Sequence, residues 1–212
     1  MLGHTHMAVG IAAALAVFSP KDLPTLIVGV GAGAVGGLIP DIDVGTSDSH
    51  KKADLITIVA IFISAFVILA DLIFHVGIKD KLMQNESIVQ VLIPVILFIA
   101  ICAYGKDTKH RTFMHSLVAL ILLTACVAVA LPTAAPFFVA GFASHIILDM
   151  MNKKKVWLLY PMKKGSICFH LCSSNGKVNK ALFYIGSTVS VLLIAYSLWN
   201  IIVPQARNIL KF

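Results

Sequence analysis

The chain has 212 residues, 58% of them hydrophobic and 13% charged, with a formal net charge of +7 and a mean hydropathy of +0.92. A soluble domain runs nearer a quarter charged, so these values exclude an ordinary soluble globule and place the chain among integral membrane proteins. The basic balance does not call for nucleic acid, because most Lys and Arg lie between apolar runs, where they orient a chain in a bilayer and meet anionic lipid.

Seven apolar runs follow in order, and each is predicted to be a helix, since lipid offers no partner to unpaired backbone groups. The first, residues 3–18, opens with His4 and His6 and lacks the basic residues that precede the core of a signal peptide, so it reads as a retained helix. The second, 23–39, starts at Asp22 and Pro24 and ends at Pro40. Its Gly29, Gly33 and Gly37 share one face and allow another helix to approach closely. Asp41 and Asp43 close this helix in Pro-Asp-Ile-Asp. Two carboxylates this close repel each other and sit at the negative end of the helix dipole. A divalent ion relieves both problems; a solvated turn is the alternative.

The third run, 55–74, ends near Asp71 and His75, which form a helix-end pair. The fourth is 88–104. The fifth, 113–131, carries His115 in its first turn, just after His110 and Arg111. A spacing of five does not share a helix face, so His110 precedes the helix and reaches inward from there. The sixth, 134–151, ends with His145 and Asp149, four apart and on one face. That spacing suits two ligands of one metal ion, or a His–Asp hydrogen bond. A polar loop follows with Cys168, His170 and Cys172, which would share one face of a strand and offer a local metal or redox site. Cys102 and Cys126 lie in apolar runs as small core residues. The seventh run is 181–203, and residues 1–212 make a single membrane-embedded domain.

If all seven runs span, Lys51, Lys52, Lys106, Lys109, Arg111, Lys153, Lys154, Lys155, Lys163, Lys164, Lys177 and Lys180 share one side. Lys21, Lys79, Lys81, Arg207 and Lys211 fall on the other. The positive-inside rule then puts the N-terminus in the cytoplasm and the C-terminus outside. On this map His4, His6, Asp41, Asp43, His110, His115, His145 and Asp149 all gather at the cytoplasmic end, while Asp71 and His75 lie opposite. Ionisable residues in apolar helices are costly and tend to face inward with partners.

These motifs resemble the YdjM-like family of membrane-bound metal-dependent hydrolases. The matching pieces are Thr-His-Met-Ala-Val-Gly at 5–10, Leu-Ile-Pro-Asp-Ile-Asp at 38–43, His-Arg-Thr-Phe-Met-His-Ser at 110–116, Ser-His-Ile-Ile-Leu-Asp-Met at 144–150 and Leu-Leu-Tyr-Pro at 158–161. The resemblance implies that His6, Asp41, Asp43, His110, His115, His145 and Asp149 are the family's polar positions. It also implies a distant likeness to zinc-dependent phospholipase C, an all-helical enzyme whose zinc cluster uses His and Asp. Thr112, Met114 and Val44 depart from the residues usual in the family, as do Asn152 and the three lysines after it; His50 is the nearest replacement for the histidine that Val44 displaces.

The expectation is an all-α, polytopic helical bundle in the cell membrane with a metal site at one membrane face. One or two divalent ions, zinc for preference, are expected on His6, Asp41, Asp43, His115, His145 and Asp149. Asp43 would serve as general base, His110 as a further catalytic group and Arg111 as the anchor for a phosphate. The function expected is hydrolysis of a phosphoester or lipid-like substrate, with membrane lipid as the partner and no nucleic acid. A transporter and a metal-stabilised scaffold are the rival readings.

Overall fold

The computed structural model describes residues 1–44, 88–162, 165–174 and 176–209. The predicted run at 55–74, the Asp71–His75 pair, His50 and the lysines at 51, 52, 79, 81, 163, 164 and 211 lie outside the described residues. Six α-helices stand among those described: α1 (Gly3–Val17), α2 (Leu23–Leu38), α3 (Ile88–Lys106), α4 (Leu117–Ala130), α5 (Ala135–Met150) and α6 (Lys177–Ile209). Two 3-10 turns, Ile39–Asp43 and Phe113–His115, interrupt them. One antiparallel hairpin, β1 (Val156–Trp157) and β2 (Ser166–Ile167), pairs Val156 with Ile167 and Trp157 with Ser166. The class is all-α.

Local chemistry explains the helix ends. Asp22 caps α2 by accepting from the Thr25 amide at 2.8 Å, and Pro24 sits in the first turn, where its missing N–H costs nothing. Ser116 caps α4 in the same way, its hydroxyl accepting from the Ala119 amide at 3.2 Å. This corrects the expected start of that helix: His115 belongs to the 3-10 turn before the cap, because Ser116 takes the extended conformation that an N-cap requires.

Two stretches, Leu23–Asp43 and Lys177–Pro204, are long and apolar enough to cross a membrane. Gly3–Val17, Ile93–Lys106, Leu117–Ala130 and Ala135–Met150 are shorter apolar helices. A helix of about 15 residues rises roughly 22 Å, against about 30 Å of hydrocarbon. Seven full crossings therefore do not follow from these helix lengths. The sequence runs counted caps and 3-10 residues as helix, as at 113–116. Ile96 and Ile99 on α3, Ile121 on α4, and Val191, Leu192 and Trp199 on α6 are all exposed, an apolar surface suited to lipid.

The core holds α1, α2 and α5 together, with α6 against α1 and α4 against α3. Glycine makes the contacts close. A Cβ at Gly10 would stand 2.6 Å from the Gly33 carbonyl oxygen, and one at Gly37 would stand 2.5 Å from that of His6. On the other side of α2, Gly36 packs against the α5 backbone at Phe138 and Phe142. We expect Gly36→Val to force α2 and α5 apart at a cost of about 1–3 kcal/mol. Thermal unfolding in detergent, with Gly31→Ala as control at a position with open space, measures it.

Candidate metal centre

The ligand candidates reach the polar end of the bundle from five separate segments. His6 comes from the first turns of α1, Asp41 and Asp43 from the turn ending α2, His110 and Arg111 from the loop after α3, His115 from the second 3-10 turn, and His145 and Asp149 from the end of α5. His6, His115, His145 and Asp149 are fully buried. The glycine crossing sets two of them. Gly37 packs under the His6 backbone, and its carbonyl lies 2.7 Å from His145 Nδ1. A carbonyl only accepts, so Nδ1 carries the proton and Nε2 is left as a lone-pair donor, the form a metal ligand needs.

Four donor atoms meet at the centre. His145 Nε2 and His115 Nε2 are 3.2 Å apart. His115 Nε2 is 3.3 Å from Asp149 Oδ2 and 3.7 Å from Asp41 Oδ1, and His145 Nε2 is 3.5 Å from the same Asp41 oxygen. Donors about 2.0–2.2 Å from a tetrahedral zinc stand roughly 3.4 Å from one another, so these separations match a cation's shell. They suit direct hydrogen bonding less well, because a single N–H on His115 cannot serve an imidazole and two carboxylates together. Asp149 Oδ1 faces His6 Nε2 at 3.4 Å and the Met1 α-amine at 2.7 Å.

Several buried polar atoms here make no hydrogen bond: both His6 ring nitrogens, His115 Nδ1, Asp149 Oδ2 and the Thr5 hydroxyl. Buried polar atoms are ordinarily satisfied, so this concentration of orphans needs an explanation. Two sets, Asp41–His110–His115–Asp149 and His6–His145–Asp149, each bring their ligand atoms within 4.8 Å of one another, with Asp149 common to both. The donor chemistry, imidazole with carboxylate, fits a divalent ion such as zinc.

A surrounding shell holds the donors. Asp43 Oδ1 pairs with His110 Nδ1 at 2.7 Å, and Oδ2 accepts from the Arg111 amide at 3.2 Å. Asp43 Oδ2 also lies 3.4 Å from His115 Nδ1, an ion-pair separation without a closed hydrogen bond. Arg111 is buried in the left-handed region at φ 69°, a conformation costing of order 1–3 kcal/mol. Its Nη1 donates to the Lys154 carbonyl at 2.9 Å, its own carbonyl accepts from the Trp157 amide at 3.0 Å, and Nη2 lies 3.0 Å from Asp149 Oδ2.

The family described as YdjM inner membrane protein matches residues 1–207. The chain belongs to the YdjM family. No curated protein and no solved structure matches it. Membership covers the whole site, because every residue from His6 to Asp149 falls within the matched region.

In this YdjM-family chain, His6, Asp41, Asp43, His110, Arg111, His115, His145 and Asp149 all converge. His4 does not join them: two residues along a helix is about 200° of rotation, and its ring instead meets Phe183 edge-on at 4.7 Å. The cysteine loop also departs from expectation. Only Ser166–Ile167 forms the strand, so Cys168, His170 and Cys172 do not present one strand face. Cys168 Sγ donates to the Asn152 carbonyl and Cys172 Sγ to that of Met151, and neither belongs to a metal grouping among the described residues. Two participants escaped the sequence: the Met1 amine on Asp149, and Asn179 on α6, whose side chain accepts from the Leu2 amide at 3.2 Å. A chain terminus and a lone Asn in a helix carry no spacing signal.

Proposed function

We propose that this protein is a membrane-bound, metal-dependent hydrolase acting on phosphoester bonds of a lipid-like substrate. The observation that carries the reading is that His115 Nε2 lies 3.2–3.7 Å from donor atoms of His145, Asp149 and Asp41, and that His145 Nε2 lies 3.5 Å from the same Asp41 oxygen, separations that suit ligands of one cation. Zinc is the preferred ion by donor chemistry. His6 with Asp149 Oδ1 would hold a second ion sharing that carboxylate. A divalent ion supplies a Lewis acid and lowers the pKa of a water from about 15.7 towards about 7.

The chain's own groups do the rest. The Gly37 carbonyl fixes the His145 tautomer. Asp43 orients His115 from its Nδ1 side, the outer-shell role that carboxylates play behind metal-bound histidines. In this reading Asp43 supports the ligands rather than serving as general base, and His110, whose side chain is 31% exposed and is held by the same carboxylate, takes the proton-transfer role. The Arg111 guanidinium, 3.0 Å from Asp149 Oδ2, would serve as the anchor for a phosphoryl oxygen. Transport fits less well, because the donors come from helix ends and turns. The proposed topology keeps seven crossings, with the N-terminus and the site on the cytoplasmic side of a single membrane-embedded domain, following the lysine and arginine distribution.

Metal analysis of purified protein tests the site. His145→Ala and Asp41→Ala are expected to lose most of the bound metal, and equal metal in both variants and the wild type would refute it. Chelator-sensitive cleavage of phosphoester lipids tests the activity.

A further inference from the structure

Between α5 and α6 the chain makes an arm that no step of the proposed chemistry uses. It begins with exposed Lys153, Lys154 and Lys155, continues through β1 and β2, and returns along residues 168–172. The arm is firmly seated. Val156 is fully buried against Phe113, Met114 and Ile146, and the Leu158 carbonyl accepts from the Leu117 amide, while the Phe169 amide donates to the Met150 carbonyl.

Yet its outer side chains are apolar and bare. Leu159 is 41% exposed, Met162 59%, Phe169 55% and Leu171 66%. Half-buried Trp157 and Tyr160 flank them, and Tyr160 meets the exposed Tyr104 hydroxyl to hydroxyl at 3.2 Å. Exposed apolar residues outside the helices, Trp and Tyr at one level, and adjacent lysines together describe a surface for the headgroup region of a bilayer. The three lysines choose its charge: they suit anionic lipid.

We propose that residues 153–162 and 165–172 form an anionic-phospholipid-binding arm that dips into the leaflet beside the metal centre. Lys153 lies four residues beyond Asp149, and the Lys154 carbonyl accepts from Arg111, so the backbone of the lysine run borders the metal centre. Lipid binding stands on the arm alone; that the bound lipid is the substrate rests on the hydrolase reading.

The test uses full-length protein with Trp199→Phe, leaving Trp157 as the single tryptophan, in phosphatidylcholine nanodiscs. A minor fraction of lipid with brominated acyl chains is either phosphatidylglycerol or phosphatidylcholine. Brominated phosphatidylglycerol is expected to quench Trp157 about twofold more strongly at the same mole fraction, through enrichment at the lysines. Lys153→Gln, Lys154→Gln and Lys155→Gln together should remove that excess. Phe169→Ser with Leu171→Ser should weaken quenching by both lipids. Equal quenching by the two lipids overturns the proposal, as does an excess that survives in the triple variant. Indifference to the Phe169 and Leu171 changes also overturns it and leaves the surface to a protein partner. Metal content of the same samples separates the two readings: an intact lipid excess without bound metal sinks the hydrolase alone, and bound metal without the excess sinks the arm alone.

Discussion

Asp149→Ala is expected to abolish metal binding and to destabilise the polar end of the bundle more than any other single change at the site. Asp149 is fully buried and is the residue common to both donor sets. Its Oδ1 faces His6 and the Met1 amine, and its Oδ2 faces Arg111 and His115. Removing it takes a ligand from both donor sets and leaves the Arg111 guanidinium buried without its carboxylate. Breaking a buried pair from one side costs about 3–5 kcal/mol. The expected result is metal content below roughly a tenth of wild type and a clear fall in unfolding temperature in detergent. Asp149→Asn separates the two effects, since it keeps the shape and much of the hydrogen bonding while removing the charge. It should fold better than Asp149→Ala and still bind metal poorly. Full metal retention in Asp149→Asn would remove this carboxylate from the coordination shell.

The second large effect is at Asp43, and it differs in kind. Asp43 holds His110 at 2.7 Å and stands behind His115 Nδ1 at 3.4 Å, on the side of the ring away from the four-donor set. Loss of an outer-shell partner typically costs 10–100-fold in metal affinity. Asp43→Ala is therefore expected to weaken affinity by that factor while the stoichiometry at saturating metal stays at the wild-type value. Titration with a competing chelator reads both quantities. If Asp43 were a ligand, the variant would lose an equivalent of metal at saturation, and the orienting role would fall.

Much of this centre was legible in the sequence because its parts are local. The four-residue spacing of His145 and Asp149 fixes their shared face in any helix, and Pro40 marks where α2 must stop and release Asp41 and Asp43 into a turn. What spacing cannot supply is depth. Asp41 and Asp43 read alike in Pro-Asp-Ile-Asp, yet one reaches the histidine Nε2 atoms and the other stands behind a ring. In the 3-10 turn that carries them, residues two apart lie about 120° apart around the axis, so the two carboxylates reach different sides of the centre. Helix lengths were overread for a related reason: hydropathy does not distinguish a capped start such as Ser116 from the helix it precedes. Gly36, which meets the α5 backbone at Phe138 and Phe142, falls outside the spacing of four at 29, 33 and 37 and so carries no periodic signal.

The contact of Gly10, Gly33 and Gly37 with neighbouring backbone has a mechanical consequence. An interface built from main chain has no rotamers to exchange, so it transmits displacement as a rigid joint rather than absorbing it. A bilayer that thickens or thins around this protein must be met by tilt or bending elsewhere, in the outer helices α3 and α6, each of which carries an internal proline. The inner trio of α1, α2 and α5 would keep its spacing, and the ligand geometry would be insulated from the composition of the membrane that surrounds it.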